Sequence, residues 1–225
     1  MGQAIGETLS FGVGVALSPL PIIIVVLMLG APAGRAPALA FLAGWMIGLA
    51  VVGTAVLLIA GAEEASQAGT PADWVSIGKI GLGIGLLVLA VKQRRGRPPE
   101  DAEPELPDWM GAVDTFTPAK SAGTAVLFGA VKPKNLILTI GACAAIAQTG
   151  ASTADQAVAL AVFVLIASIG VALPLAIYLL AGGRAERILG DLRAWMTREN
   201  ATIIAVICLI IGVKLIGDAI SALAS

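Results

Sequence analysis

Residues 129–138 read GAVKPKNLIL, and residues 16–24 read ALSPLPIII. The two stretches share the pattern A-x-x-P-x-[PN]-[IL]-I-[IL], from Ala16 to Ile24 and from Ala130 to Leu138. Each sits inside a long apolar run. A proline in a helix interior removes one backbone hydrogen bond and clashes with the preceding turn, so Pro19, Pro21 and Pro133 predict broken helices at corresponding places in two halves of the chain. A lipid interior makes such breaks costly, because every freed carbonyl must find a partner inside the protein.

The membrane itself follows from composition. The chain is 58% hydrophobic and 13% charged, with a mean hydropathy of +0.94. A soluble domain carries about a quarter charged residues on its surface, and this chain has too few. Runs approaching the roughly 20 residues needed to span a bilayer recur along it. Six spans are predicted: Thr8–Leu29, Ala38–Ala60, Val75–Val91, Ala122–Ala147, Ala157–Ala181 and Ala201–Ile220. The third is short and carries Lys79 near its start. The opening MGQAIGETLS has no basic n-region and is not expected to be a secretory signal.

Arginine and lysine set the orientation. The first, third and fifth loops hold Arg35; Lys92, Arg94, Arg95, Arg97 and Lys120; and Arg184, Arg187, Arg193 and Arg198. The N-terminus and the second and fourth loops hold Glu7, Glu63, Glu64, Asp73 and Asp155. The odd loops are therefore expected in the cytoplasm and both termini outside, in the plasma (inner) membrane.

The proline-rich, charged stretch RRGRPPEDAEPELPD (94–108) reads as a disordered linker. It divides the chain into a first three-helix repeat (1–91), a cytoplasmic linker (92–120) and a second three-helix repeat (121–225). Within the second, Ile188, Leu189, Leu192, Trp195 and Met196 share one helical face opposite arginines. This predicts an interfacial amphipathic helix near 184–198. Three spans per half make the second half inverted relative to the first. Inverted repeats with broken helices in equivalent positions are the pattern of secondary transporters, whose sites lie near the midplane. The expected fold is thus an all-α membrane protein of six transmembrane helices in two inverted repeats, with helices 1 and 4 broken. Glycine pairs within the spans (Gly44 and Gly48, Gly81 and Gly85, Gly212 and Gly217) read as close helix packing.

Lysine at depth costs about 3 kcal/mol, so Lys132 and Lys134 call for a reason. Residues two apart on a helix point in nearly opposite directions, and both cannot reach the surface along one face. An unwound segment around Pro133 would let both line one cavity. The expected substrate-binding set is Lys132, Pro133, Lys134 and Asn135, facing Ser18, Pro19 and Pro21, with the deeper Lys134 as the main contact. Cations without an acidic partner favour an anionic ligand. Lys79, Lys214, Asp218 and Glu7 lie toward the outside and form a candidate outer gate, or a local surface pair of Lys214 and Asp218.

Several chemistries are excluded or disfavoured. The chain has no histidine, so histidine-based catalysis, proton relays and zinc sites are ruled out. It has no Walker-type phosphate loop. Cys143 and Cys208 lack metal or redox spacing and read as small core residues. No enzyme activity, metal, cofactor or nucleic-acid partner is expected.

ALSPLPIIIVVLML, AFLAGWMIGL, VKPKNLIL and IIGVKLIGDAI together resemble the peptidoglycolipid-addressing family, which includes sulfolipid-addressing proteins, of the lysine-exporter superfamily. The resemblance covers the chain except the linker and loop tips. It implies a multipass bundle that exports cell-envelope glycolipids with polar or anionic head groups. Membrane lipids, the lipid-linked substrate and envelope lipid-export machinery are then the expected partners. Related thiol-transporting proteins place a cysteine beside these prolines. Here those places hold Ser18, Leu20, Lys132 and Lys134, which argues against electron transfer. Two other readings stay open: a small-solute exporter of the amino-acid-exporter type, and a non-transporting accessory factor for a lipid-export machine.

Overall fold

The computed structural model describes residues 2–66, 73–95 and 115–223; most of the 92–120 linker lies outside these residues. The described residues form helices and no strand: α1 (Gly2–Ala16), α2 (Pro19–Gly30), α3 (Arg35–Ser66), α4 (Asp73–Arg95), α5 (Pro118–Ala130), α6 (Pro133–Ala147), α7 (Thr153–Leu180) and α8 (Ala185–Leu223), the last preceded by a 3₁₀ turn at Gly182–Arg184. Among the described residues four helices are long and apolar enough to cross a membrane. The number rises to six if each bent pair counts as one span. The pair α1–α2 bends by 54° and the pair α5–α6 by 62°.

The breaks fall at the prolines that predict them. α2 starts with Pro19 after an extended Ser18, and α6 starts with Pro133 after an extended Lys132. Proline is well placed at the first helical position, where its missing N–H would have had no partner anyway. The same residue that ends one helix therefore starts the next.

The segment 184–198 is helical, and it runs without interruption into the sixth span as one 39-residue helix. At 1.5 Å per residue α8 is about 58 Å long, well beyond a hydrocarbon core of about 30 Å. No Gly or Pro separates Arg198 from Ala201 to end the helix. Its early turns are also held by the protein. Met196 is buried with Ile22 and Ile23 of α2, and Leu192 packs against them. Ile188 and Trp195 remain exposed.

One core of Phe, Trp, Leu, Ile and Val side chains runs through all eight helices, with Trp45, Phe41, Phe11 and Phe163 almost fully enclosed. Trp45 Nε1 reaches across to the Ala167 carbonyl at 3.4 Å, joining α3 to α7. Outward faces carry Ile47, Val51, Leu58, Leu165, Ile169 and Ile210 in the open. That is the inside-out balance of a helix bundle solvated by lipid.

α3 and α5 form one of the tightest pairs because glycine lines the contact. A Cβ on Gly48 would lie 2.8 Å from the Val126 carbonyl oxygen, and Gly44 sits against the Ala122 backbone. Gly81 and Gly217 have no neighbour within 4 Å at the position of a Cβ, so they are not the packing residues the spacing suggests. Gly83 takes that role instead, opposite Gly212. The expected outcome is that Gly48→Leu, which forces α3 and α5 apart, destabilises the detergent-solubilised protein by roughly 1–3 kcal/mol or more. Gly81→Ala should leave its thermal unfolding midpoint close to wild type.

Candidate functional site

A helix ends with its last four carbonyls unpaired. At the end of α1 three of these four can be followed to a hydrogen-bond partner. The Val13 carbonyl accepts the Leu17 N–H at 3.0 Å. Gly14 would have used the N–H of Ser18, which lies outside the helix; its carbonyl instead accepts the Lys134 ammonium at 2.7 Å. Val15 would have used the N–H that Pro19 lacks; the Ser18 hydroxyl lies 2.7 Å from its carbonyl. The Ala16 carbonyl is pressed against Gly170 of α7, where only glycine leaves room.

The end of α5 is treated in a parallel way. The Leu127 carbonyl accepts the Val131 N–H at 2.8 Å. Phe128 stands two residues before the shared motif, as Gly14 does, and the N–H its carbonyl would have used belongs to Lys132, outside the helix. Its carbonyl accepts Asn135 Nδ2 at 3.1 Å. Asn135 Oδ1 lies 3.0 Å from the Ser18 hydroxyl, whose one hydrogen is divided between this oxygen and the Val15 carbonyl. Two adjacent residues of α6, Lys134 and Asn135, thus cap the broken ends of two different helices. A cation at a helix C-terminus is further favoured by the helix dipole.

Burial separates the two lysines. Lys134 is 6% exposed and Asn135 fully buried. Lys132 is half-buried, and its ammonium lies over the Phe128 ring at 4.8 Å from the centroid, a cation–π contact. Pro133 faces outward, while Ser18, Pro19 and Pro21 are buried. The structure therefore brings Ser18, Lys134 and Asn135 together at the two breaks and leaves Lys132 at their more open side. Lys134 meets a backbone carbonyl, with two of its three N–H donors beyond that bond.

Sequence reasoning missed two residues on the same faces. Ser10 lies four residues before Gly14 on α1, and Thr139 lies four after Asn135 on α6. Both hydroxyl oxygens are buried and find no hydrogen-bond partner among the described residues. Serine and threonine are common in apolar helices, where their hydroxyls usually bond back to their own backbone, so nothing in the sequence marks these two out.

The four candidate gate residues share one end of the molecule. Lys214 pairs with Asp218 at 2.6 Å and with Glu7 at 3.4 Å, and its ammonium lies 5.6 Å from the Phe11 ring centroid. Lys79 donates to Gln148 Oε1. These contacts tie α8 to α1 and α4 to α6. Along α1 the step from Glu7 to Ser18 is about 16 Å at 1.5 Å per residue, about half of a hydrocarbon core. The breaks therefore lie about half the thickness of a hydrocarbon core from the Glu7–Lys214–Asp218 cluster. Cys143 and Cys208 are both buried and free. Among the described residues no cluster of His, Cys, Asp or Glu could hold a metal ion.

The profile of the family described as Sap, sulfolipid-1-addressing protein, matches residues 8–221, and the chain belongs to that family. No curated protein and no solved structure matches the chain significantly.

Removing a capping side chain leaves a buried carbonyl unpaired, at about 1–3 kcal/mol each. Asn135→Leu removes both the bond to the Phe128 carbonyl and the link to Ser18, and should lower the thermal midpoint clearly. Lys134→Leu should do the same, whereas Lys134→Gln, which keeps a donor for Gly14, should recover most of the loss. Equal midpoints for the Leu and Gln variants at position 134 would contradict a capping role.

Proposed function

We propose that this member of the sulfolipid-addressing family exports a lipid-linked envelope molecule with an anionic head group across the plasma (inner) membrane, using two inverted three-helix repeats. The observation that carries the reading is the pair of facing helix breaks, with Lys132 and Lys134 beside them and, among the described residues, no acidic side chain bonded to either.

Helix packing supports the inverted repeat. If α1–α4 correspond to α5–α8, each close pair should recur with its halves exchanged. α3 packs on α5 as α7 does on α1; α3 packs on α6 as α7 does on α2; and α2 packs on α8 as α6 does on α4. The exchange is incomplete: the contacts of α7 with α8, α1 with α8, α5 with α6 and α1 with α6 have no equally close counterpart. α1 packs closely on α6, while its equivalent, α5 and α2, scarcely touches. α1 and α6 form the half of the bundle that carries the Glu7–Lys214–Asp218 cluster, and α2 and α5 form the arginine-rich half. A bundle closed at one end and loosened at the other is what an exporter waiting for its cargo requires. With the expected orientation the loosened end is cytoplasmic, where an exported lipid is made available. Lys132, on the open side of the breaks, is the better placed of the two lysines to meet an anionic head group, and Lys134 holds the site together. The chemistry is binding and movement, without a catalysed reaction or a cofactor. Kinship with the lysine-exporter superfamily rests on the shared proline motif.

A second reading, a non-transporting accessory factor, is favoured by the close packing around Lys134 and Asn135. Deletion and complementation with lipidomics of the outer envelope separates the two. Lys132→Gln should fold normally yet export roughly tenfold less lipid, as expected for a lost charged contact of about 1.5 kcal/mol, and Lys132→Arg should restore most of it. Unimpaired export by Lys132→Gln would remove the head-group role. A deletion whose defect is complemented by the double Lys132→Gln, Lys134→Gln variant would favour the accessory factor.

The orientation is tested separately. A cysteine introduced at the C-terminus of a Cys143→Ser, Cys208→Ser background should react with an impermeant thiol reagent in intact cells. One placed within 94–108 should react only after the membrane is opened; the reverse pattern would invert the assignment.

A further inference from the structure

The antiparallel helices α4 and α8 touch at a glycine crossing and part toward the arginine-rich end. At the crossing, a Cβ on Gly83 would lie 2.9 Å from the Gly212 carbonyl oxygen, and a Cβ on Gly212 would lie 3.0 Å from that of Gly83. Eleven residues beyond it on each helix, about 16 Å away, stand Arg94 and Ala201. Between them a groove of about 340 Å³ opens on the outer surface of the bundle. Its walls are Ala90 and Val91 of α4 and Ala201, Thr202, Ala205, Val206 and Leu209 of α8, with Arg94 at its mouth. The groove exists because the residues facing each other there, Ala90 and Ala205 above all, are too small to fill the gap.

We propose that this groove binds one acyl chain of an anionic glycerophospholipid from the leaflet on the arginine-rich side, with the phosphate held by Arg94. Three observations select that occupant. The walls are apolar apart from the single hydroxyl of Thr202 and open toward the lipid, where Val91, Val206 and Leu209 are about half exposed. The groove runs along α8 from Ala201 to Leu209, about 12 Å, and one leaflet of a hydrocarbon core is about 15 Å deep. With its mouth at head-group depth, the charge of the described residues near it is mainly positive: Lys92, Arg94 and Arg95 in the last turn of α4 and Arg198 on α8, next to Glu199. Arginine's planar fork matches a phosphate oxygen pair.

The site is independent of the export reading. Val206 and Leu209 point away from the bundle, whereas Ile207, Cys208 and Ile211 of the same helix are buried within it. The groove is therefore on the opposite side of α8 from the broken helices. A resident lipid here would wedge the diverging ends of α4 and α8 and steady the arginine-rich half of the bundle.

Native mass spectrometry of the full-length protein, released from nanodiscs of phosphatidylglycerol or of phosphatidylcholine, tests the proposal. The wild type should retain one phosphatidylglycerol well beyond its retention of phosphatidylcholine. Arg94→Gln should reduce that preference roughly tenfold. Ala205→Trp should abolish retention of either lipid by filling the groove. Val206→Trp, at a half-exposed wall position, should weaken it without disturbing the core. Lys132→Gln should leave the retained lipid in place. Equal retention of the two lipids by the wild type would overturn the proposal, as would wild-type retention by both Trp variants. Loss in Lys132→Gln alone would overturn it too, by placing the lipid at the central site.

Discussion

Breaking a helix in the middle of a bilayer exposes backbone carbonyls where no water can reach them, and the centre of this protein is organised around satisfying them. Each such group left unpaired costs several kcal/mol in a lipid interior. Two breaks are needed if two spans are to bend, so the cost arises twice. Lys134 and Asn135 answer both, one reaching the Gly14 carbonyl of α1 and the other the Phe128 carbonyl of α5. Ser18 links the two breaks directly through Asn135. Neither half is then complete without α6, and the two halves are bound at their weakest points.

This arrangement changes what a buried lysine means here. A lone ammonium in an apolar core is usually a sign of a missing partner. Lys134 has one, but it is a carbonyl made available by an unwound turn more than a hundred residues before the lysine itself. Its charge suits the negative end of the α1 dipole, and a neutral donor at the same place would serve the hydrogen bond with less of that benefit. Lys132 differs although it is two residues away. It caps nothing, sits over an aromatic ring and keeps access to the more open side. The extended conformation at Lys132, imposed by Pro133, is what lets the two side chains serve different ends.

The charged contacts around Lys214 and Lys79 act at the other end of the same helices. They join α1 to α8 and α4 to α6, at the place where α1 and α6 pack most closely with Phe11 against Gly141. The arginine-rich end has looser packing between α2 and α5 and an open groove between α4 and α8. Small residues shape the α4–α8 pair, with glycine at its crossing and alanine in its groove. Glycine allows helices to touch, and alanine without a complementary bulky neighbour keeps them from filling the gap. The close crossing at Gly83 and Gly212 and the gap lined by Ala90 and Ala205 arise from small residues at different places along the same helix pair.

The helical membrane class, the positions of the spans and the two breaks were legible in the sequence, because hydropathy and proline act locally: a run of about 20 apolar residues must be a helix in lipid, and proline must interrupt it. The motif shared by Ala16–Ile24 and Ala130–Leu138 also singled out Ser18, Lys134 and Asn135 before any contact was known. Their partners were not legible. A carbonyl carries no sequence signature, so nothing in the residue types says that Lys134 meets Gly14 or that Asn135 meets Phe128. The continuity of α8 through Arg198–Ala201 was hidden for a related reason: amphipathic and apolar segments look like separate elements, but without a Gly or Pro between them the backbone has no cause to stop. The working glycines were hidden as well. Spacing nominates Gly81 and Gly217 as readily as Gly83 and Gly212, and only the crossing of α4 with α8 decides which of them needs to lack a side chain. Local chemistry thus determined where this chain bends; which groups meet at the bends was decided by tertiary packing, because a freed backbone group is satisfied by whatever donor the fold brings within about 3 Å.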